Sequence, residues 1–193
     1  KQNKDLIIIN NEKIFKENDT FYCDNLDLKV LPEGLNLHYK VQYIVRSSSK
    51  NKKGYQKINL RSIKTASNIF RFIYFVLKTF KNSDASYLLV CITPYTFFSF
   101  LFLFLFRKRV FVYLFSSGHE EYKHILGRWF VWIYHIMYMV VTHNSKVIVC
   151  HERLFDKKKS HLVYISRLDG EWLKNHIEAP LDKLRLLYVG RMS

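Results

Sequence analysis

Short stretches that are apolar at consecutive positions recur along this chain and limit its fold more than any other feature. Residues 87–92 (YLLVCI), 110–115 (VFVYLF), 146–150 (KVIVC), 161–165 (HLVYI) and 184–189 (LRLLYV) are of this kind, and residues 5–15 (DLIIINNEKIF) and 41–45 (VQYIV) open or read as further examples. Neighbouring side chains on a strand point to opposite faces, so a consecutively apolar strand is buried on both sides. Two-sided burial marks a parallel sheet covered by helices.

The segments between them fit helices. Within residues 63–80, Ile69, Phe70, Ile73, Val76, Leu77 and Phe80 recur at spacings of three and four, which predicts an amphipathic helix with that face on a core. Residues 95–106 predict a second helix, apolar almost all round, and a third is expected to run unbroken over 119–142. A polar turn at 16–19 leads into Thr20–Cys23 as a hairpin partner, residues 26–37 read as irregular or short helix around Pro32 and Gly34, and residues 47–56 as a polar loop. The alternation of strand and helix predicts an α/β chain: a Rossmann-like, mostly parallel sheet flanked by helices.

With 49% hydrophobic and 17% aromatic residues, a disordered tail is excluded. The formal charge of +15 favours anionic partners, although scattered lysines also simply solvate a surface. Basic residues interleaved with exposed aromatics would mark a nucleic-acid module; the aromatics fall mainly in the buried runs, and no nucleic-acid partner is expected. Cys23, Cys91 and Cys150 form no CxxC pair, and two of them lie in apolar runs, so neither a zinc ribbon nor a redox motif is supported and a reducing compartment fits best. The first residue is Lys1, and an apolar strand-like run closely precedes Ser193, so the chain is expected to be a fragment. Its first domain is expected to span residues 1–180, and residues 181–193 to open a second.

Residues 87–106 hold twenty uncharged positions, long enough for a membrane span and followed by Arg107-Lys108-Arg109. Pro94 divides that run, and the helix beyond it would be about 18 Å long, short of the hydrocarbon core of about 30 Å. Docking at the membrane surface, with apolar helices and a basic rim, is the preferred expectation.

Among motifs, His119 and His124 stand five apart and so do not share a helical face as a zincin pair does; Glu121 and His124 have the Glu-x-x-His spacing of di-iron bundles but lack a second copy. No dinucleotide, P-loop or nucleophile-elbow motif occurs. Ser116, Ser117 and Gly118 lie where a buried strand gives way to a helix, at the carboxyl edge where open α/β sheets bind ligands. Small residues there permit close approach, backbone amides at a helix start suit an anionic or hydroxyl-rich ligand, and Glu120 and Glu121 also suit that helix end.

The terminal LLYVGR (186–191) resembles the strand that opens the donor-binding domain of GT-B glycosyltransferases, particularly the retaining family 4 group. The initial hairpin, the strand closing in Arg46, the Thr93-Pro94-Tyr95 turn and YLFSSGHEEY (113–122) are similar to the N-terminal domain of that group. The resemblance implies transfer of a sugar from a nucleotide-diphosphate sugar to a glycan or lipid-linked acceptor in bacterial surface polysaccharide or glycolipid assembly. It implies no metal and no cofactor beyond the donor, and a cytoplasmic site, peripheral at the inner face of the cell membrane. It places Arg191 and Gly190 at the donor diphosphate, Ser117, Gly118 and Glu120 at the acceptor, and His119 in catalysis, orienting an acceptor hydroxyl or assisting its proton transfer. Asn10-Asn11 stand where family members carry a Gly-Gly turn. The fragment alone is expected to be inactive, most of the donor site lying beyond Ser193.

Overall fold

The computed structural model describes residues 4–49, 56–116, 118–154 and 160–163. All of them belong to the unit Lys1–Val163. The expected strand at 184–189 and the proposed second domain lie outside the described residues.

The consecutively apolar runs form parallel strands. β1 (Asp5–Glu17), β3 (Lys40–Ser48), β5 (Ile63–Ala66), β6 (Ser86–Val90), β7 (Arg109–Leu114), β8 (Lys146–Val149) and β9 (Ser160–Leu162) line up in the order β5-β3-β1-β6-β7-β8-β9. The first strand therefore lies inside the sheet, with later strands added outward on both sides, which is the doubly wound Rossmann-like arrangement. Ile8 and Ile9, adjacent in sequence, are both fully buried and belong to the separate cores on the two sheet faces, as two-sided burial requires.

β1 continues past the end of β6. Its register against β3 shifts between Ile9 and Lys13, and beyond the shift it stays parallel to β3 while its other edge pairs with the antiparallel β2 (Thr20–Cys23), which in turn pairs with β4 (Gln56–Ile58). The β1–β2 turn has Asn18 at φ 45° and Asp19 at φ 61°. Those left-handed values suit a two-residue hairpin turn, and Asn and Asp are the side-chain-bearing residues that tolerate them best.

Three helices cover one sheet face: α2 (Ile69–Lys78), α3 (Pro94–Leu105) and α5 (Arg128–His143), while α1 (Asp27–Asn36) covers the other beside β3 and β4. Handedness accounts for this. The crossovers β5→β6, β6→β7 and β7→β8 all advance in one direction across the sheet, and right-handed connections must then pass over the same face; β1→β3 advances the other way and passes over the opposite face.

Residues 87–106 divide at Pro94 as expected, into β6 and α3, joined at Thr93, whose side chain caps α3 in a capping box with Thr96. No helix among the described residues is long and apolar enough to cross a membrane. Other expectations need correction. The helix expected over 119–142 is two, α4 (Gly118–Leu126) and α5, separated by Gly127 at φ 92°, a conformation that interrupts a helix and that glycine adopts without strain. Residues 63–66 are strand β5, not the start of the following helix. The core-facing side of α2 is as expected only in part. Val76 is buried and Phe80 packs on the core, but Phe72 is also buried, with Phe75 against the same core, whereas Phe70 is 84% exposed and Leu77 lies at the surface. The helix is apolar around most of its circumference, so periodicity admits more than one stripe, and the cap that the Asn68 side chain gives to the Arg71 amide starts the helix with Phe72 inward.

The two phenylalanines separate these alternatives. Phe72→Ala is expected to lower unfolding stability by about 3–5 kcal/mol through loss of a fully buried ring, and Phe70→Ala by no more than about 0.5 kcal/mol. Urea unfolding of both variants measures it; equal losses would put the wrong face on the core.

Candidate active site

The carboxyl end of β6 pairs with Asn10 in the middle of β1, where the strand order reverses, the position at which doubly wound sheets bind ligands. Asn10 is buried, donates through its side-chain amide to the Tyr43 hydroxyl at 3.2 Å, and accepts the Glu12 backbone N–H at 3.0 Å. Burial raises the pKa of Tyr43, so the hydroxyl stays protonated. The position held by Gly-Gly in the family that the sequence resembles is thus a polar knot whose Glu12 amide is already bonded.

At the end of β6, Cys91 has φ 61°, unusual for a residue with a side chain. The backbone around it is tightly held. Its N–H donates to the Tyr113 carbonyl at 2.9 Å and its carbonyl accepts the Thr96 hydroxyl at 2.9 Å. The conformation turns the chain from β6 into α3 and brings Tyr95 to the edge. There the Arg46 guanidinium, from the end of β3, lies 4.5 Å from the Tyr95 ring centroid and contacts the Asn11 side-chain oxygen at 3.4 Å. Phe72 abuts the same ring edge-on, its centroid at 5.3 Å. A cation is therefore fixed at the reversal point by residues from β1, β3 and the start of α3. Arg46 and Tyr95 are both present in the sequence motifs, but nothing in their spacing of 49 positions signals that they meet.

The second part of the edge follows β7. Gly118 begins α4, and its backbone N–H donates to the Tyr134 hydroxyl of α5 at 3.1 Å. A Cβ at this position would lie 2.6–2.7 Å from the Tyr134 ring and hydroxyl, so glycine is needed for this contact. The close approach suggested by the small residues is made by the chain's own tyrosine, which also occupies this amide. Tyr134 is buried, and burial raises its pKa.

His119 is half-buried against α5. Its ring meets Tyr134 edge-on at 4.7 Å and Tyr138 at 5.5 Å between centroids, and its Nε2 lies 3.4 Å from Nδ1 of His135. Burial lowers its pKa below the ordinary histidine value, and the neighbouring His135 lowers it further. At neutral pH the imidazole is therefore uncharged. In the tautomer that donates Nε2–H to His135, Nδ1 presents a lone pair. The sequence gives no sign of His135 as its partner, because His135 lies 16 positions away, on a helix that Gly127 folds back on α4. No group of three or more potential metal ligands occurs among the described residues. Ser117, the side chain of Glu120, Gly190 and Arg191 lie outside the described residues.

A recess of about 970 Å³ opens at the opposite, amino edge beside Lys4, Lys40, Arg107 and Lys108, with Asp5 and Asp84. Three of its polar side chains serve the fold: Lys108 Nζ donates to the carbonyls of Phe80 at 3.3 Å and Asn82 at 3.4 Å, and Asn82 bonds Asp5. Size alone does not make it the site.

Two measurements probe this edge. Gly118→Ala is expected to destabilise the fold by about 1–3 kcal/mol, because the added methyl displaces Tyr134; thermal unfolding with an unchanged midpoint would contradict the contact. The depressed pKa of His119 makes its contribution to stability complete above about pH 6.5. As pH falls further, the unfolded chain takes up the proton first and stability declines. Replacing His119 with Gln should flatten that decline between about pH 7 and 5, and denaturant titrations with parallel pH profiles for both proteins would refute it.

No protein-family model matches this chain, and a search of curated proteins finds no match to it.

Proposed function

We propose that this chain is the acceptor-side part of a glycosyltransferase. The complete enzyme transfers a sugar from a nucleotide-diphosphate sugar to a glycan or lipid-linked acceptor in bacterial surface polysaccharide or glycolipid assembly, in the cytoplasm and peripheral at the inner face of the cell membrane. The observation that carries the reading is the doubly wound sheet whose reversal point is lined by a fixed cation, with a neutral imidazole at the start of the helix after β7. The sequence resemblance at 113–122 and 186–191 supplies the reaction class.

In such a transfer the bond from the anomeric carbon to the diphosphate oxygen breaks and a bond to the acceptor hydroxyl oxygen forms. The acceptor proton must leave. An uncharged His119 is suited to orient that hydroxyl or assist the proton's departure. By resemblance, Arg191 and Gly190 stabilise the charge building on the departing diphosphate, as a fixed guanidinium does for any phosphate leaving group. Ser117, Gly118 and Glu120 belong by resemblance to the acceptor side. Arg46, braced by Tyr95 and Asn11, is positioned to hold an anionic group of the acceptor.

In the complete enzyme, Arg191→Ala should lower kcat by about a hundredfold or more. Arg46→Ala should raise KM for an anionic acceptor with less effect on kcat. Radiolabelled sugar transfer measures both. Turnover unchanged by Arg191→Ala would remove the donor-site assignment, and an unchanged KM in the second variant would remove the role given to Arg46.

A further inference from the structure

The three helices on one sheet face are apolar on their outward sides as well as their inward sides. A residue two positions from a buried one lies about 200° round a helix, on the far side from the sheet. On α2 the residues flanking Phe72 in this way are Phe70 and Tyr74, which are 84% and 56% exposed. On α3, Phe98 and Leu105 are exposed opposite Phe100 and Leu103; on α5, Trp132 and Ile136 are exposed opposite Tyr134. α2 touches α3, and α3 touches α5, so these stripes share one outer layer. Exposed apolar residues that adjoin on neighbouring helices, rather than standing singly, mark an interaction surface.

The polar residues of this layer have one sign. Between Gly34 and His151 the only acidic residues are Asp84, Glu120 and Glu121, and none of them lies on α2, α3 or α5. Exposed cations accompany the apolar stripes instead: Arg71 and Lys78 on α2, and Arg128 at the start of α5. The tip of α5 combines both features. Trp129 is 89% exposed, and Arg128, Trp129 and Trp132 line a hollow of about 670 Å³.

We propose that the outer face of α2, α3 and α5 is a membrane-docking surface for anionic phospholipid, with Trp129 and Trp132 entering the headgroup region and these cations meeting lipid phosphates. The charge pattern selects this occupant. A second copy of the same face would bring cation against cation, whereas an anionic bilayer complements both the apolar stripes and the cations that accompany them. Indole rings favour the bilayer interface, where one side is apolar and the other wet. None of these three helices is long and apolar enough to span, so they would lie along the surface. This inference does not depend on the sugar-transfer reading, since lipid binding is measured without donor or acceptor.

Co-sedimentation with vesicles tests it. The 193-residue chain is expected to pellet with phosphatidylcholine vesicles containing about a third phosphatidylglycerol, and to bind pure phosphatidylcholine at least about tenfold more weakly. The double variant Trp129→Ser/Trp132→Ser, whose side chains make little contact with the core, should lose about tenfold or more in binding while keeping the wild-type circular dichroism. Tryptophan emission should shift to the blue with vesicles, and the shift should shrink in the double variant. A wild-type chain that stays in the supernatant with anionic vesicles would overturn the proposal. So would equal pelleting of the double variant, or a dimer in sedimentation velocity that the two substitutions dissociate without changing vesicle binding.

Discussion

Right-handed crossover is the constraint from which the rest of this molecule follows. A parallel strand pair needs a connection that returns over the sheet, and strand twist gives that return one hand. Because the chain advances three times in the same direction, from β5 to β6, β7 and β8, three helices accumulate on one face. The sheet beneath them must then be apolar on consecutive residues, which is why Ile8 and Ile9 both vanish from solvent. The reversal from β3 and β5 on one side of β1 to β6 on the other opens the edge at which Asn10, Arg46, Cys91 and Tyr95 converge.

That edge is held by polar contacts that leave little slack. Asn10 and Tyr43 satisfy each other in the interior, where an unpaired amide or phenol would cost about 1–3 kcal/mol. Cys91 retains a left-handed backbone because its N–H and carbonyl are both bonded to neighbouring elements. Strain that survives at a strand end is found where a fold positions chemistry. On the far side of β7, Tyr134 performs a similar role, binding the Gly118 amide and covering one side of the half-buried His119. The lowered pKa of His119 is a consequence of this packing more than of any charged partner, since burial is its larger cause and His135 the smaller.

How much of this is legible in the sequence depends on whether one residue type can carry the signal. β6, β7 and β8 are readable because a short run apolar on both faces fits little besides a strand covered by helices on each side. Thr93-Pro94 is readable as the boundary between β6 and α3 because proline at a helix start and threonine before it have defined roles. β4 and β5 are not readable. QKI and IKTA are short and half polar, and they are strands because neighbouring strands offer them backbone partners. The face of α2 is misleading for the opposite reason: with Phe70, Phe72, Ile73, Phe75 and Val76 all apolar, several stripes satisfy the same periodicity, and only the sheet selects one. The site suffers most. Gly118 and His119 can be found from their place after a buried strand, but Tyr134 and His135 join them only because Gly127 breaks what reads as one long helix. Arg46 and Tyr95 meet through strand order, which no local pattern encodes.

The same break relates the site to the apolar layer. α4 starts at the carboxyl edge and α5 returns past it, with Tyr134 level with Gly118. The six residues from Arg128 to Ile133 therefore reach about 9 Å beyond that level, at about 1.5 Å per residue. Trp129 and Trp132 stand on this projection, next to the turn that holds His119. The helices α2 and α3 also begin at the carboxyl edge, so Phe70 lies toward the same end of the layer. The tryptophan-bearing end of the apolar layer therefore adjoins the sheet edge rather than its back. A continuous helix over 119–142 could not fold α5 back past His119, and would therefore separate the imidazole from Tyr134 and His135. Gly127 is thus the residue through which the positioning of His119 and the placement of the two tryptophans are geometrically linked.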